Sequence, residues 1–152
     1  FLDYPGLKMN RNDITKMAKS IYDQILKFKP DIIFSHCIDD NHHDHRVTAE
    51  AVFIATRPSP KIQFIKKIFS MEIPSASEKL FSRKKSFKPN YFVDIKTSYK
   101  KKLKILNKFY KKELLPYPNS RSLKSIKNLT EYRGNLVNLK FAEAFEINRI
   151  ID

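Results

Sequence analysis

The feature that most constrains this chain is a short apolar run set between two helical patterns. Ile14, Met17, Ile21, Ile25 and Phe28 recur at spacings of three and four, the apolar stripe of an amphipathic helix. Asn12 or Asp13 is placed to cap its N-terminus, and Pro30 ends it. Asp31 to Cys37 (DIIFSHC) then reads as a short strand of the kind buried in a parallel sheet. Polar residues 39–44 follow directly at its C-terminal end. A second helix is expected from about His45 through Ala49, Ala51, Val52 and Ala55, stopping before Pro58 and Pro60. Helix, strand, loop and helix in this order form the repeating unit of an α/β fold.

The same patterns continue downstream. Lys67 to Ile73 can form a strand through Ile68, Phe69, Met71 and Ile73, and residues 74–89 lack periodicity and read as a long loop. Tyr91 to Ile95 is a short strand by its aromatic and β-branched content. Thr97 or Ser98 can cap a helix carrying Tyr99, Leu103, Leu106, Phe109 and Tyr110. Ser120 or Ser122 can cap a last helix bearing Leu123, Ile126, Leu129, Tyr132 and Leu136, and residues 141–151 close the chain as a strand or extended tail. With no repeat and no linker, residues 1–152 are expected to form a single domain.

Composition narrows the function classes. Only two glycines occur, Gly6 and Gly134, and neither belongs to a phosphate-cradling loop, so the P-loop and dinucleotide fingerprints are out. No Gly-x-Ser-x-Gly nucleophile elbow is present. One cysteine, Cys37, excludes an intrachain disulfide and suits a reducing compartment, with the cytoplasm as the expected location. No apolar run reaches the length of a membrane helix. The net charge of +14 invites a nucleic-acid reading, but 23 of the 30 basic residues are Lys, scattered along the helices, with pairs such as Lys84-Lys85. A solvated lysine surface is the simpler expectation, with attraction of an anionic substrate as a milder one.

Chemistry concentrates after the first strand. Three of the four histidines fall in residues 42–45, within Asp40-Asn41-His42-His43-Asp44-His45. Imidazole and carboxylate suit Zn²⁺ or another divalent metal, and open α/β sheets bind ligands beyond the C-terminal ends of their strands. At a helix N-terminus the dipole favours the neutral imidazole that coordinates metal, and Asp44 or Asp40 could hold a ring N–H. These residues are too few for a closed metal site. His36, inside the strand, is expected to be a core or near-core histidine rather than a ligand.

The order Pro30-Asp31-Ile32-Ile33-Phe34-Ser35-His36, then Asp40-x-His42-x-Asp44-His45-Arg46, resembles the second signature of the PIG-L/LmbE-like N-acetylglucosaminyl deacetylases. The likeness continues through Asn90-Tyr91-Phe92-Val93-Asp94-Ile95, Tyr132-Arg133-Gly134 and Ala142-Glu143-Ala144-Phe145, and so spans nearly the whole chain. It implies a Rossmann-like three-layer α/β sandwich around a mostly parallel sheet, and a zinc-dependent hydrolase that removes an N-acetyl or other N-acyl group from an amino sugar. It further implies His45 as a zinc ligand, His42 as the group that stabilises the oxyanion and protonates the departing amine, and Asp44 as the residue orienting a histidine.

Two departures stand out. His43 occupies a position usually held by Pro, and the family's first signature, Ala-His-Pro-Asp-Asp-Glu, does not occur. That signature normally supplies a His and an Asp as ligands and a second Asp as general base. The chain, which begins at Phe1, is therefore expected to lack the family's N-terminal strand and ligand loop. Two alternatives follow: a truncated, catalytically inactive remnant, or a basic nucleic-acid-binding module. Glu143 and Asp94 are assigned no chemistry. Glu72 is a candidate for substrate contact, although a solvated strand-end carboxylate is the simpler expectation.

Overall fold

A computed structural model describes residues 14–77 and 87–152. The expected caps Asn12 and Asp13, together with Gly6 and the pair Lys84-Lys85, lie outside the described residues. The fold is mixed α/β, with four α-helices and a four-stranded sheet among the described residues. The chain divides into two compact units, residues 1–88 with 146–152, and residues 89–145.

In the first unit, helix α1 spans Ile14–Phe28 and buries Ile14, Met17, Ala18 and Ile25, most of the expected stripe. Phe28 is exposed. The helix closes with Lys29, whose N–H reaches the Ile25 carbonyl at 2.8 Å in the left-handed region (φ 48°). Strand β1, Ile32–His36, pairs in parallel with β2, Lys67–Met71, in the register Ile32↔Lys67 to His36↔Met71. Between them runs α2, His43–Ala55. Its buried face is Val47, Ala51 and Ala55, one turn apart each; the small alanines let the helix approach closely. These residues join Ile62, Ile65 and Ile68 and the α1 stripe in one core.

Residues from the final strand, β4 (Ala142–Ile150), complete this unit. Asn148 donates from its amide to Ser70 Oγ at 2.9 Å, and Ser70 Oγ donates to the His36 carbonyl at 3.3 Å. Arg149 donates to the Thr56 carbonyl at 2.8 Å, and the Ile151 N–H to the Lys66 carbonyl at 2.8 Å.

The second unit contains β3 (Tyr91–Asp94), α3 (Tyr99–Phe109), α4 (Leu123–Asn135) and the first residues of β4. Its small core is Ile95, Tyr99 and Phe141 with Leu103 against them; the Tyr99 and Phe141 rings stack at 4.1 Å. Ser122 caps α4 by accepting the Ser125 N–H at 3.0 Å, one of the two caps expected. Ser98 is the N-cap of α3 but makes no side-chain cap bond. Of the expected α4 stripe Ile126 is buried, whereas Tyr132 and Leu136 are exposed.

Strand β3 pairs antiparallel with β4, Tyr91↔Phe145 to Asp94↔Ala142, so the expectation of a mostly parallel sheet needs correction. The reason lies in the connections. One helix between β1 and β2 returns the chain to its starting end, so the next strand runs parallel. Two successive helices, α3 and α4, separate β3 from β4 and add one further reversal. The strand order is β1-β2-β4-β3.

Candidate functional site

The site grows from the point where β1 stops. Past His36 the chain turns, with the Asp40 N–H on the Cys37 carbonyl at 3.2 Å, and Asp40 ends up almost wholly buried, 1% exposed. A buried carboxylate needs donors. Asp40 Oδ1 accepts the His42 N–H at 2.8 Å, and Oδ2 accepts the Ser77 hydroxyl at 3.3 Å. Ser77 Oγ in turn accepts the Ile73 N–H at 2.8 Å, and the Asn41 N–H donates to the Ala76 carbonyl at 2.9 Å. The loop after β1 is thus tied to the turn after β2. Arg46 closes it from the helix side, donating from Nη1 to the carbonyls of Asp40 (2.8 Å) and Asn41 (2.7 Å).

This loop brings three imidazoles together. His45, in the first turn of α2, lies between His36 and His42. The His36 and His45 ring centroids are 4.0 Å apart with planes 3° from parallel; His42 and His45 are 4.5 Å apart at 29°. Nδ1 of His45 lies 3.3 Å from Asp40 Oδ1, within ion-pair reach but outside hydrogen-bond geometry. Nδ1 of His36 and of His42 are buried and make no hydrogen bond among the described residues. Burial, with His45 and His42 close by, pushes the His36 imidazole down to about 4 against the opposing pull of Asp40. His36 is therefore neutral near neutral pH, the form in which imidazole binds metal.

Asp44 is buried in the first turn of α2, and His43 is exposed with Nδ1 3.5 Å from an Arg46 nitrogen. Cys37 is buried beside Glu146, its Sγ 3.6 Å from Oε2; Glu146 Oε1 accepts the Lys88 N–H. Burial first, then the neighbouring Glu146 carboxylate, pushes the Cys37 thiol up to about 11, the mark of an inert thiol. Glu72 lies just past β2 and is half-buried. In the second unit Asp94 accepts the Lys96 N–H at 2.8 Å as a turn residue, and Glu143 pairs with Lys102 at 2.8 Å.

His42 and His45, both singled out in the sequence, meet. The strand pattern makes His36 a core or near-core histidine; the fold leaves it partly buried and stacks it on His45. Nothing in that pattern could reveal the contact, because it depends on how α2 is rotated over the strand end. Sequence reasoning misses Ser77 altogether; it sits in a stretch without periodicity, and its role is set by the 73–77 turn.

Imidazole nitrogen and carboxylate oxygen are the donor types zinc prefers. The geometry, however, suits one ligand rather than three. Lone pairs lie in the ring planes, so near-parallel stacked rings aim them side by side rather than at a common point. Among the described residues no three His, Cys, Asp or Glu side chains converge as a metal ion requires. His45, with Asp40 against its Nδ1, has the setting of a single ligand.

A mixed α/β fold with a histidine cluster beyond a strand end defines the class of structure to which the chain can be compared. No protein-family model matches the sequence, and no curated protein matches it. Solved structures do match. The conserved protein TT1542 from Thermus thermophilus aligns with 99% of this chain at a TM-score of 0.66 and 16% identity. The N,N'-diacetylchitobiose deacetylase from Pyrococcus horikoshii, solved with an inhibitor, aligns with 97% at a TM-score of 0.65 and 19% identity. At these identities the likeness is one of fold. The chain spans 65% and 56% of the two structures' own lengths. Among the described residues no helix is long and apolar enough to cross a membrane.

Proposed function

We propose that the chain is the larger part of a metal-dependent hydrolase of the PIG-L/LmbE-like type, removing an N-acetyl or other N-acyl group from an amino sugar or its conjugate. The observation that carries this reading is the packing of His36, His42 and His45 beyond the end of β1, with Asp40 behind His45. The sequence resemblance and the fold shared with a diacetylchitobiose deacetylase support it. The reading takes residues 1–152 as one domain of this type, since both aligned structures cover nearly all of them.

In this reading His45 is a zinc ligand. Asp40 lies against its Nδ1 and so favours coordination through Nε2. Zinc, when bound, lowers the pKa of a water and polarises the amide carbonyl. His42, stacked on His45 and free of any bond at Nδ1 among the described residues, donates to the oxyanion of the tetrahedral intermediate and then to the departing amine. Asp44, buried on the same helical turn, orients a histidine. The remaining ligands and the general base come from outside the described residues. A positively charged protein suits an anionic sugar conjugate.

The test is a pair of variants in the metal-loaded protein, scored for zinc content and for acetate release from N-acetylated amino sugars. His42→Ala should lower turnover by about 10²–10³ while zinc is retained, and His45→Ala should lose the metal. Equal loss of zinc in both variants overturns the division of roles. A wild-type protein that takes up zinc without hydrolysing any N-acyl amino sugar overturns the activity and leaves the inactive remnant.

A further inference from the structure

The second unit holds most of the chain's charge. Residues 89–145 contain 13 Lys and Arg against 4 Asp and Glu, a net +9 of the chain's +14. Seven of those lysines lie between positions 100 and 112, with no acid and no arginine among them. Five of them lie on α3, and Lys111 and Lys112 just beyond its end; the helix inserts only its Tyr99 and Leu103 end into the small core. The later turns leave apolar side chains uncovered among the described residues: Ile105 is 40% exposed, Phe109 68% and Tyr110 54%. The loop beyond continues the pattern with Tyr117, 55% exposed. Ile105 and Phe109 are one turn apart and share a flank of the helix.

Ammonium groups sit against these rings. Lys108 Nζ lies 5.1 Å from the Phe109 centroid, and Lys124 Nζ lies 4.1 Å from that of Tyr117. A run of exposed apolar and aromatic side chains fringed by lysines is poorly explained as a solvated surface, because water gains nothing from Ile105 and Phe109. It matches the interface of an anionic bilayer. There aromatic rings settle at headgroup depth, and lysine stems lie along apolar surface with their ammonium groups among the phosphates. A nucleic-acid surface fits less well. Ile105 has no face on which to stack a base, and the run lacks the arginines that fork onto phosphate and guanine.

We propose that residues 105–117, with the lysines between positions 100 and 112, dock the protein onto anionic lipid surfaces. This is a peripheral contact made by the second unit alone, and it stands apart from the hydrolase reading. Apolar insertion and charge attraction act together, so neither suffices by itself.

The experiment is co-sedimentation of the full chain with phosphatidylcholine vesicles, with and without phosphatidylserine. Binding should favour the serine-containing vesicles at least ~10-fold and weaken with salt. Lys108→Glu with Lys112→Glu should reduce it about tenfold or more. Phe109→Ser with Tyr117→Ser, at exposed positions, should also reduce it about tenfold. The chain has no tryptophan, so Phe109→Trp supplies a single reporter whose emission should shift to the blue on these vesicles. Equal binding to both vesicle types, full binding by the Phe109/Tyr117 variant, or an unshifted emission from the Phe109→Trp reporter overturns the proposal. So does tighter binding to duplex DNA that the lysine variant loses and the aromatic variant keeps.

Discussion

One oxygen of the Asp40 carboxylate lies 3.3 Å from Nδ1 of His45 while accepting the His42 N–H at 2.8 Å. A single buried side chain therefore sets the positions of two neighbouring imidazoles. Asp40→Ala removes the acceptor of both the His42 N–H and the Ser77 hydroxyl, leaving two donors unpaired. The loss of stability should be about 2–4 kcal/mol by urea denaturation, and smaller for Asp40→Asn, which keeps one acceptor oxygen. An unchanged midpoint in Asp40→Ala would show that the loop holds without its carboxylate.

Cys37 gives a pH dependence with a definite sign. Its folded thiol is raised, to about 11 from an ordinary value of 9.0, because burial disfavours the thiolate. The contribution to stability is fully present below pH 9.0 and is lost as pH rises through 11. Cys37→Ala should flatten the fall of the urea midpoint across that window. Below it, alkylation of native Cys37 should run at least ~10-fold slower than in the unfolded chain. Equal rates would contradict the buried thiol.

Gly134 is set by steric contact. A Cβ there would stand 2.5 Å from the Leu139 carbonyl oxygen and 3.1 Å from backbone atoms of Lys140 and Phe141. The partners are backbone, so they cannot swing aside. The turn is held by the Leu139 N–H on the Gly134 carbonyl at 2.9 Å, leading into β4. Gly134→Ala should cost about 1–3 kcal/mol in thermal or urea unfolding. A neutral result would mean that this turn shifts freely.

Legibility in the sequence differs by segment. Helix α1 follows from strict apolar spacing, β1 from a short apolar run and α2 from its place between the polar loop and Pro58, and the candidate site falls where α/β chemistry usually sits, just past a strand. Helix α2 starts at His43 rather than His45; its N-terminus is organised by the side chain of Asp40, two residues before the cap. In the second unit periodicity marks the helices but overstates their burial. The core of Ile95, Tyr99 and Phe141 is too small to cover Phe109, Tyr132 and Leu136. Contacts such as His36 on His45, or Ser77 on Asp40, join segments distant in sequence and carry no periodic signal.

The tie from Asn148 through Ser70 to the His36 carbonyl also has a consequence for biosynthesis. Residues 89–145 form one uninterrupted stretch of the chain. The strand end beneath the histidines lacks its brace until Glu146, Asn148 and Arg149 have left the ribosome. A nascent chain stalled before those residues would carry the imidazole cluster on an unsecured scaffold.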